Sequence, residues 1–280
     1  MPDWLIKNAY FDLTRPRIMG ILNLTPDSFS GDGFYPNRQK AMERAFLMEE
    51  EGADIIDIGA VSTRPGSPPV SEDEELIRLM PALEEICAKI RIPVSVDTCK
   101  VRVAAEALKT GASIINDITA GGDRRILNLA AKSKSGLVLM HMQGTPATMQ
   151  ENPSYRDIIA EISQFLGKRI AEAKKSGVSK EQIVIDPGIG FGKTLEHNLT
   201  ILKRLNDFAE LSQPILVGPS RKGFIGQITG LTVNERLEGT IAAVVTAYLS
   251  GGIIFRVHDV KEIKRALTVA EAIKNANSGN

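Results

Sequence analysis

Residues 18–23 have the sequence IMGILN, a short apolar run that closes on a polar side chain, Asn23. Seven more runs of this kind follow along the chain, and a polar or charged residue closes each of them. The residues at the eight ends are Asn23, Thr63, Asp97, Asn116, His141, Asp186, Lys222 and Arg256. Nearly continuous apolar runs of this length are typical of parallel strands that are buried on both faces.

Segments of helical length and period separate the runs, as at residues 38–51, 71–89, 156–175 and 260–274. A strand followed by a helix, repeated eight times, is the pattern of a (β/α)8 barrel. The chain has 280 residues, close to the roughly 250 that are typical of this barrel. We therefore predict an α/β protein, a single (β/α)8 TIM barrel that forms one domain over residues 1–280.

In such a barrel, functional residues collect at the carboxyl ends of the strands, where the eight polar residues fall. A single Asn or Asp before a helix is more often a helix cap or a turn residue than a ligand. Eight polar strand ends together favour a functional site at this face.

The bulk composition limits the classes of partner. Lys plus Arg and Asp plus Glu number 34 each, so no broad electrostatic field favours nucleic acid or a membrane surface. The first ten residues lack the apolar core of a signal peptide, and no apolar run approaches the roughly 20 residues of a membrane span. We predict a soluble, cytoplasmic protein.

Cys87 and Cys99 lack metal-ligand spacing and are expected to be free thiols.

Residues 186–194 have the sequence DPGIGFGKT and invite interpretation as a phosphate-binding P-loop. The P-loop pattern requires glycine where Pro187 stands, because a backbone amide there must point at phosphate, and proline has none. The spacing does not fit a dinucleotide-binding fingerprint either. We expect instead that the glycines let the loop pass close to a flat ligand.

Several stretches resemble the dihydropteroate synthase family. Residues 19–30, MGILNLTPDSFS, are similar to its opening signature, and STRPG at residues 62–66 matches its second loop. Further matches are VDT at 96–98, INDI at 115–118, MHM at 140–142, DPGIGF at 186–191, SRK at 220–222 and RVHDV at 256–260. The resemblance covers all eight strand ends. It implies condensation of 6-hydroxymethyl-7,8-dihydropterin pyrophosphate with p-aminobenzoate, giving 7,8-dihydropteroate and pyrophosphate in folate biosynthesis.

The resemblance also implies which residues bind the pterin. A pterin edge alternates donors and acceptors, so carboxylate and amide groups deep in the barrel suit it. The implied pterin-binding residues are Asp97, Asn116, Met140, Asp186, Gly190, Phe191, Lys222 and Arg256. Those implied to be catalytic are Asp97, Asp186, Lys222 and Arg256. Departure of pyrophosphate leaves positive charge on the pterin methylene, which Asp97 and Asp186 are expected to stabilise.

Two further subsites follow from the resemblance. The residues implied to hold pyrophosphate are Asn23, Arg64, Arg256 and His258. Asn23 is also the expected ligand of a Mg2+ cofactor, an ion that takes only one or two protein ligands besides phosphate oxygens. The residues implied to bind p-aminobenzoate are Phe29, Thr63, Arg64, Pro65 and Ser220. Ser220 is expected at the start of a helix, where free backbone amides favour a carboxylate.

The chain departs from the family pattern at three loop positions. Gly31-Asp32 stands where aspartate then glycine is common, Val61 replaces a common glutamate, and Gly223 replaces a frequent serine. These departures concern the p-aminobenzoate side and the loop conformations more than the pterin pocket. The resemblance also implies a homodimer and a sulfonamide target.

Two other functions remain open from the residues alone. Methyltetrahydrofolate:corrinoid methyltransferases share the barrel and the acids that recognise a pterin, but they have no need of Arg64, Ser220, Arg256 and His258 as a set. A non-catalytic barrel that binds a pterin or a protein partner is the other alternative. The joint presence of Asn23 and the four implied catalytic residues argues against it.

Overall fold

The computed structural model of the protein describes residues 3–25, 33–62, 66–67 and 69–276. The strands are β1 (Trp4–Ile6), β2 (Ala9–Phe11), β3 (Arg17–Asn23), β4 (Ile55–Gly59), β5 (Val94–Asp97), β6 (Ile114–Asp117), β7 (Gly136–Met140), β8 (Ile183–Asp186), β9 (Leu216–Val217) and β10 (Ile254–Val257). The α-helices are α1 (Arg38–Glu50), α2 (Glu72–Lys89), α3 (Val101–Thr110), α4 (Arg124–Ser133), α5 (Ile158–Lys175), α6 (Leu195–Lys203), α7 (Gly223–Thr229), α8 (Leu237–Leu249) and α9 (Val260–Asn275).

Strands β3 to β10 form one parallel sheet in the order β8-β7-β6-β5-β4-β3-β10-β9. A bridge between Ile185 of β8 and Ile215, just before β9, brings the two ends of the sheet together. The sheet is thus a nearly closed barrel with the helices between its strands. This confirms the predicted (β/α)8 fold.

The helix starts follow from capping residues. Ser71 accepts a hydrogen bond from the backbone N–H of Glu74 at the start of α2. Asp157 accepts two such bonds at the start of α5, so that helix begins at residue 158 rather than at the predicted 156. Side-chain oxygens at this position satisfy N–H groups that have no partner within the helix. Within the described ranges, no helix is long and apolar enough to cross a membrane.

The amino-terminal hairpin of β1 and β2 fills the end of the barrel opposite the polar strand ends, a feature that the sequence pattern did not predict. Trp4 is fully buried and its indole N–H donates to the Gln182 carbonyl at 2.7 Å. It belongs to one apolar cluster with inward side chains of the strands, namely Met19, Ile55, Ile114, Val138, Val184, Leu216 and Ile254. The barrel interior is therefore closed and apolar at this end.

Candidate functional site

The inward side chains change from apolar to polar along each strand. Since alternate residues of a strand face the same side, the residue two positions after an inward apolar one also points into the barrel. The four residues so placed after Ile114, Val138, Val184 and Ile254 are Asn116, Met140, Asp186 and Arg256. Paired registers put Asp97 beside Asn116 and Met140 beside Asp186. The structure thus gathers most of the residues expected to bind pterin in one layer.

Arg256 bridges two carboxylates of this layer. Its Nε donates to Asp57 Oδ2 at 2.6 Å and its Nη2 to Asp97 Oδ2 at 2.8 Å. Asn116 Nδ2 donates to the same oxygen of Asp57 at 3.1 Å. Asp57 is fully buried and orients two residues of the expected site. It was missed from the sequence, although a carboxylate inside the apolar run IIDI at residues 55–58 is a usable signal.

Burial dominates the electrostatics of this network. It raises the pKa of Asp97 to about 7, although the charge of Arg256 opposes the rise. Burial also acts to lower the pKa of Arg256, but Asp57 and Asp97 outweigh it and raise the pKa above its ordinary range. The guanidinium is therefore charged at any working pH, whereas Asp97 changes its charge near neutrality.

A second charged pair stands across the layer. Burial raises the pKa of Asp186, and the nearby Lys222 opposes that rise. Burial lowers the pKa of Lys222 to about 8. Lys222 Nζ lies 4.6 Å from the centre of the Phe191 ring and donates to the Ile189 carbonyl. Lys222 therefore lies near both Asp186 and the Phe191 ring.

The loop after β8 passes close to Lys222 because of its glycines. Gly190 has φ of +81°, and a Cβ there would lie 3.0 Å from Lys222 Cδ. The lysine of the P-loop-like motif is engaged within the barrel. Lys193 is only 3% exposed, and its Nζ contacts His141 Nδ1 at 3.1 Å and the Phe191 carbonyl at 2.9 Å. These contacts support the prediction that the motif is not a phosphate loop.

His141 and Lys193 share a buried environment. Burial, and then the charge of Lys193, lower the pKa of His141 to about 3, so its imidazole is neutral at working pH. Burial lowers the pKa of Lys193 to about 7. His141 directly follows β7, close to its predicted place at the strand end, but its ring contacts Lys193 and packs edge-on against Phe165.

Ser220 differs from its expected position. Helix α7 begins at Gly223 with Lys222 as its cap, so Ser220 precedes the helix rather than starting it. Its hydroxyl makes a 2.9 Å hydrogen bond with His258 Nδ1 and accepts from the His258 backbone N–H at 3.2 Å. The structure therefore joins a residue expected to bind p-aminobenzoate to one expected to hold pyrophosphate.

The remaining expected residues are placed only in part. Asn23 ends β3, which pairs with β10, and His258 directly follows β10. The Asn23 carbonyl accepts a hydrogen bond from the Phe34 N–H at 3.0 Å. Phe29, Thr63, Arg64 and Pro65 lie outside the described residues. No group of three or more His, Cys, Asp or Glu residues in the described ranges could hold a metal ion.

Comparison with known proteins agrees with this geometry. The model of the family described as pterin binding enzyme matches residues 19–258. Dihydropteroate synthase of Escherichia coli (strain K12) is 46% identical over 270 residues, 96% of each chain. The Haemophilus influenzae enzyme of the same name is 43% identical, over 96% of this chain and 98% of its own.

Solved structures give the same result. Yersinia pestis dihydropteroate synthase with a sulfonamide drug complex superimposes with a TM-score of 0.95 at 41% identity, covering 98% of this chain and all of that one (100%). The Thermus thermophilus enzyme is solved in complex with 4-aminobenzoate, with a TM-score of 0.88 at 45% identity and the same coverage. It is also solved in complex with 6HMPPP, with a TM-score of 0.85 at 41% identity, again with 98% and 100% covered.

Proposed function

The chain belongs to the pterin-binding enzyme family, among its dihydropteroate synthases, and from that premise we propose how its own residues carry out the reaction. It is a transferase of folate biosynthesis that joins 6-hydroxymethyl-7,8-dihydropterin pyrophosphate to p-aminobenzoate, with loss of pyrophosphate. The observation that carries the mechanism is the buried layer in which Asp57 and Asp97 hold Arg256 beside Asn116.

Asp97, Asn116 and Asp186 recognise the edge of the pterin ring, with Lys222 on its carbonyl side. Asp57 already accepts from Asn116 Nδ2, so the amide oxygen of Asn116 is oriented to accept from a pterin N–H. Met140 and Phe191 line the faces of the ring, and Gly190 lets the loop approach it closely. Carboxylates suit the donor groups of this edge.

The reaction begins as the bond between the pterin methylene and the pyrophosphate oxygen breaks, with both electrons leaving on oxygen. Positive charge then spreads from the methylene into the ring. The carboxylates of Asp97 and Asp186 stabilise it, since fixed charges in a buried site act where charge develops. The aniline nitrogen of p-aminobenzoate forms the new C–N bond and releases its proton to solvent. The amine is a nucleophile at neutral pH without activation.

Arg256 has further N–H groups that can bind the pyrophosphate leaving group. Two of its N–H groups bind Asp57 and Asp97, and a guanidinium has five in all. The others, with Arg64 and His258, are proposed to hold the pyrophosphate oxygens. Asn23 would be the protein ligand of Mg2+, which when bound neutralises charge on the leaving group.

We expect Asn23→Ala to raise the Mg2+ concentration needed for half-maximal activity. The same variant should bind the free pterin alcohol, which carries no phosphate, with nearly unchanged affinity. Calorimetry with the pterin alcohol alone, and with magnesium pyrophosphate added, separates the two effects. A variant with the wild-type response to Mg2+ would show that Asn23 only shapes the strand end.

The p-aminobenzoate side is proposed from Phe29, Thr63, Arg64 and Pro65 together with Ser220. Because the Ser220 hydroxyl is bonded to His258, any contact with the substrate carboxylate must share that hydroxyl with the pyrophosphate side. The sulfonamide complex of the Yersinia pestis relative supports the proposal that sulfonamides bind this chain at the same subsite.

The assembly and the location of the enzyme are also proposals. Apolar side chains are exposed on the last helices, with Leu249 at 56%, Val269 at 60% and Ile273 at 69%. They support a homodimer formed through this side of the barrel. We propose that the enzyme acts in the cytoplasm.

One assay tests the function against both alternatives. Purified protein with the pterin pyrophosphate and Mg2+ should release pyrophosphate at a rate that depends on added p-aminobenzoate. A corrinoid methyltransferase or a non-catalytic barrel would release none under either condition. Pyrophosphate release that ignored p-aminobenzoate would contradict the assignment.

A further inference from the structure

Lys193 is a buried lysine with no part in the reaction described above. Its Nζ links two segments of the barrel face, contacting His141 Nδ1 just after β7 and the Phe191 carbonyl in the loop after β8. Burying an ammonium group costs free energy unless the group gains good partners. An apolar side chain could fill this space without that cost. We therefore ask what the contacts of Lys193 contribute to function.

The loop after β8, which Lys193 holds, packs closely against the segment after β7. A Cβ at Gly188, where φ is +71°, would come 1.9 Å from the His141 carbonyl oxygen. A Cβ at Gly192, where φ is +62°, would come 2.6 Å from the Gln143 carbonyl oxygen. The loop therefore lies directly on the segment after β7, and Lys193 joins the two where they touch.

Two lysines hold carbonyl groups of this loop. Lys222 donates to the Ile189 carbonyl and lies over the Phe191 ring, whereas Lys193 donates to the Phe191 carbonyl itself. The position of the Phe191 ring thus depends on its peptide, which Lys193 fixes, and on Lys222 above it.

We propose that Lys193 is a positioning residue for the pterin: by joining the two loops it fixes the position of Phe191. This inference rests on the proposed function, because Phe191 lines the pterin ring only in that proposal. In this proposal Lys193 contacts His141 and Phe191 rather than either substrate. Its removal should therefore weaken pterin binding and leave the p-aminobenzoate step nearly unchanged.

A double-mutant cycle tests this dependence. Calorimetry with the free pterin alcohol would compare the wild type, Lys193→Met, Phe191→Ala and the double variant. We expect Lys193→Met to weaken binding about tenfold, the size that the loss of its two hydrogen bonds allows. In the Phe191→Ala background the same change should alter Kd for the pterin alcohol by less than about twofold. A difference of that size is within the range over which the effects of independent mutations add. Additive effects would overturn the proposal.

Steady-state kinetics give a second readout that a purely structural role would not move. Lys193→Met should raise KM for the pterin pyrophosphate, while KM for p-aminobenzoate at saturating pterin stays within about twofold. Lys203→Met, on the exposed last turn of α6, is the matched control and should change neither constant. An equal rise in both KM values would contradict the inference.

A pair of variants at His141 keeps the test independent of how Lys193→Met folds. His141→Asn can place an oxygen near the position of Nδ1, whereas His141→Leu leaves Lys193 without that partner. We expect the Asn variant to bind the pterin alcohol about fivefold tighter than the Leu variant, as one hydrogen bond allows. Equal affinities would refute the role of Lys193. Wild-type protein that did not bind the pterin alcohol would instead count against the proposed function.

Discussion

Asp186→Asn and Asp97→Asn should each nearly abolish turnover while the barrel stays folded. Asp186 is buried and the Asp97 side chain is only 13% exposed, and asparagine keeps the shape of each carboxylate but not its charge. A single well-placed electrostatic group contributes roughly 3 kcal/mol to the transition state, or at least about a hundredfold in rate. Single-turnover rates with saturating substrates measure this loss, and thermal melts verify the fold.

Asp73→Asn, at an exposed carboxylate on α2, is the matched control and should keep wild-type turnover. The pKa of Asp97, raised to about 7 by burial, adds a pH signature. Since only the ionised carboxylate stabilises a cation, kcat/KM of the wild type should fall as pH falls through about 7. Near-normal single-turnover rates in both Asn variants would show that the two carboxylate charges do not stabilise the transition state.

Arg256→Met is expected to lose both activity and stability. The change leaves Asp57 and Asp97 buried without their cation. Breaking a buried pair from one side costs about 3–5 kcal/mol, because an uncompensated charge remains. Urea unfolding at neutral pH should show a loss of this size. Turnover should fall as well, because the guanidinium is proposed to hold the pyrophosphate.

The pH dependence of that loss has a definite sign. Arg256 opposes the rise in the pKa of Asp97; without it that folded-state pKa rises further, and protonation of Asp97 then favours the folded state. The stability gap between variant and wild type should therefore narrow as pH is lowered. Adding Asp57→Asn to Arg256→Met should recover part of the stability at neutral pH. A gap of less than about 0.5 kcal/mol at neutral pH would contradict the network.

The barrel was predictable because its strands are short apolar runs of nearly constant composition and the helices between them have the right length. The predicted strand ends were close to correct, with Asn23, Asp97 and Asp186 each ending a strand. Lys222 was placed less well, since it follows β9 by several residues and caps α7. Its approach to Asp186 depends on the path of that loop, which no local pattern specifies.

Residues that act through distant partners could not be predicted in the same way. Asp57 meets Arg256 across 199 positions of sequence, and only closure of the sheet brings them together. In the sequence, Lys193 stands out only as part of a P-loop-like motif. The direction of its side chain depends on its contact with His141, which is distant in sequence. Ser220 was predicted at a helix start, yet its hydroxyl bonds to His258 on the neighbouring strand end.

We propose that pyrophosphate departs before the new bond forms, leaving a pterin cation between Asp97 and Asp186. The direct measurement places a heavy-oxygen label in the oxygen that bridges the pterin methylene and the pyrophosphate. The enzyme, Mg2+ and benzoate, which lacks the amino nucleophile, are then incubated with this substrate, and the recovered substrate is analysed. We expect the label to move into non-bridging positions of the phosphate, because the C–O bond breaks and reforms. A label that stays in the bridge, in enzyme that turns over normally once p-aminobenzoate is added, would contradict it.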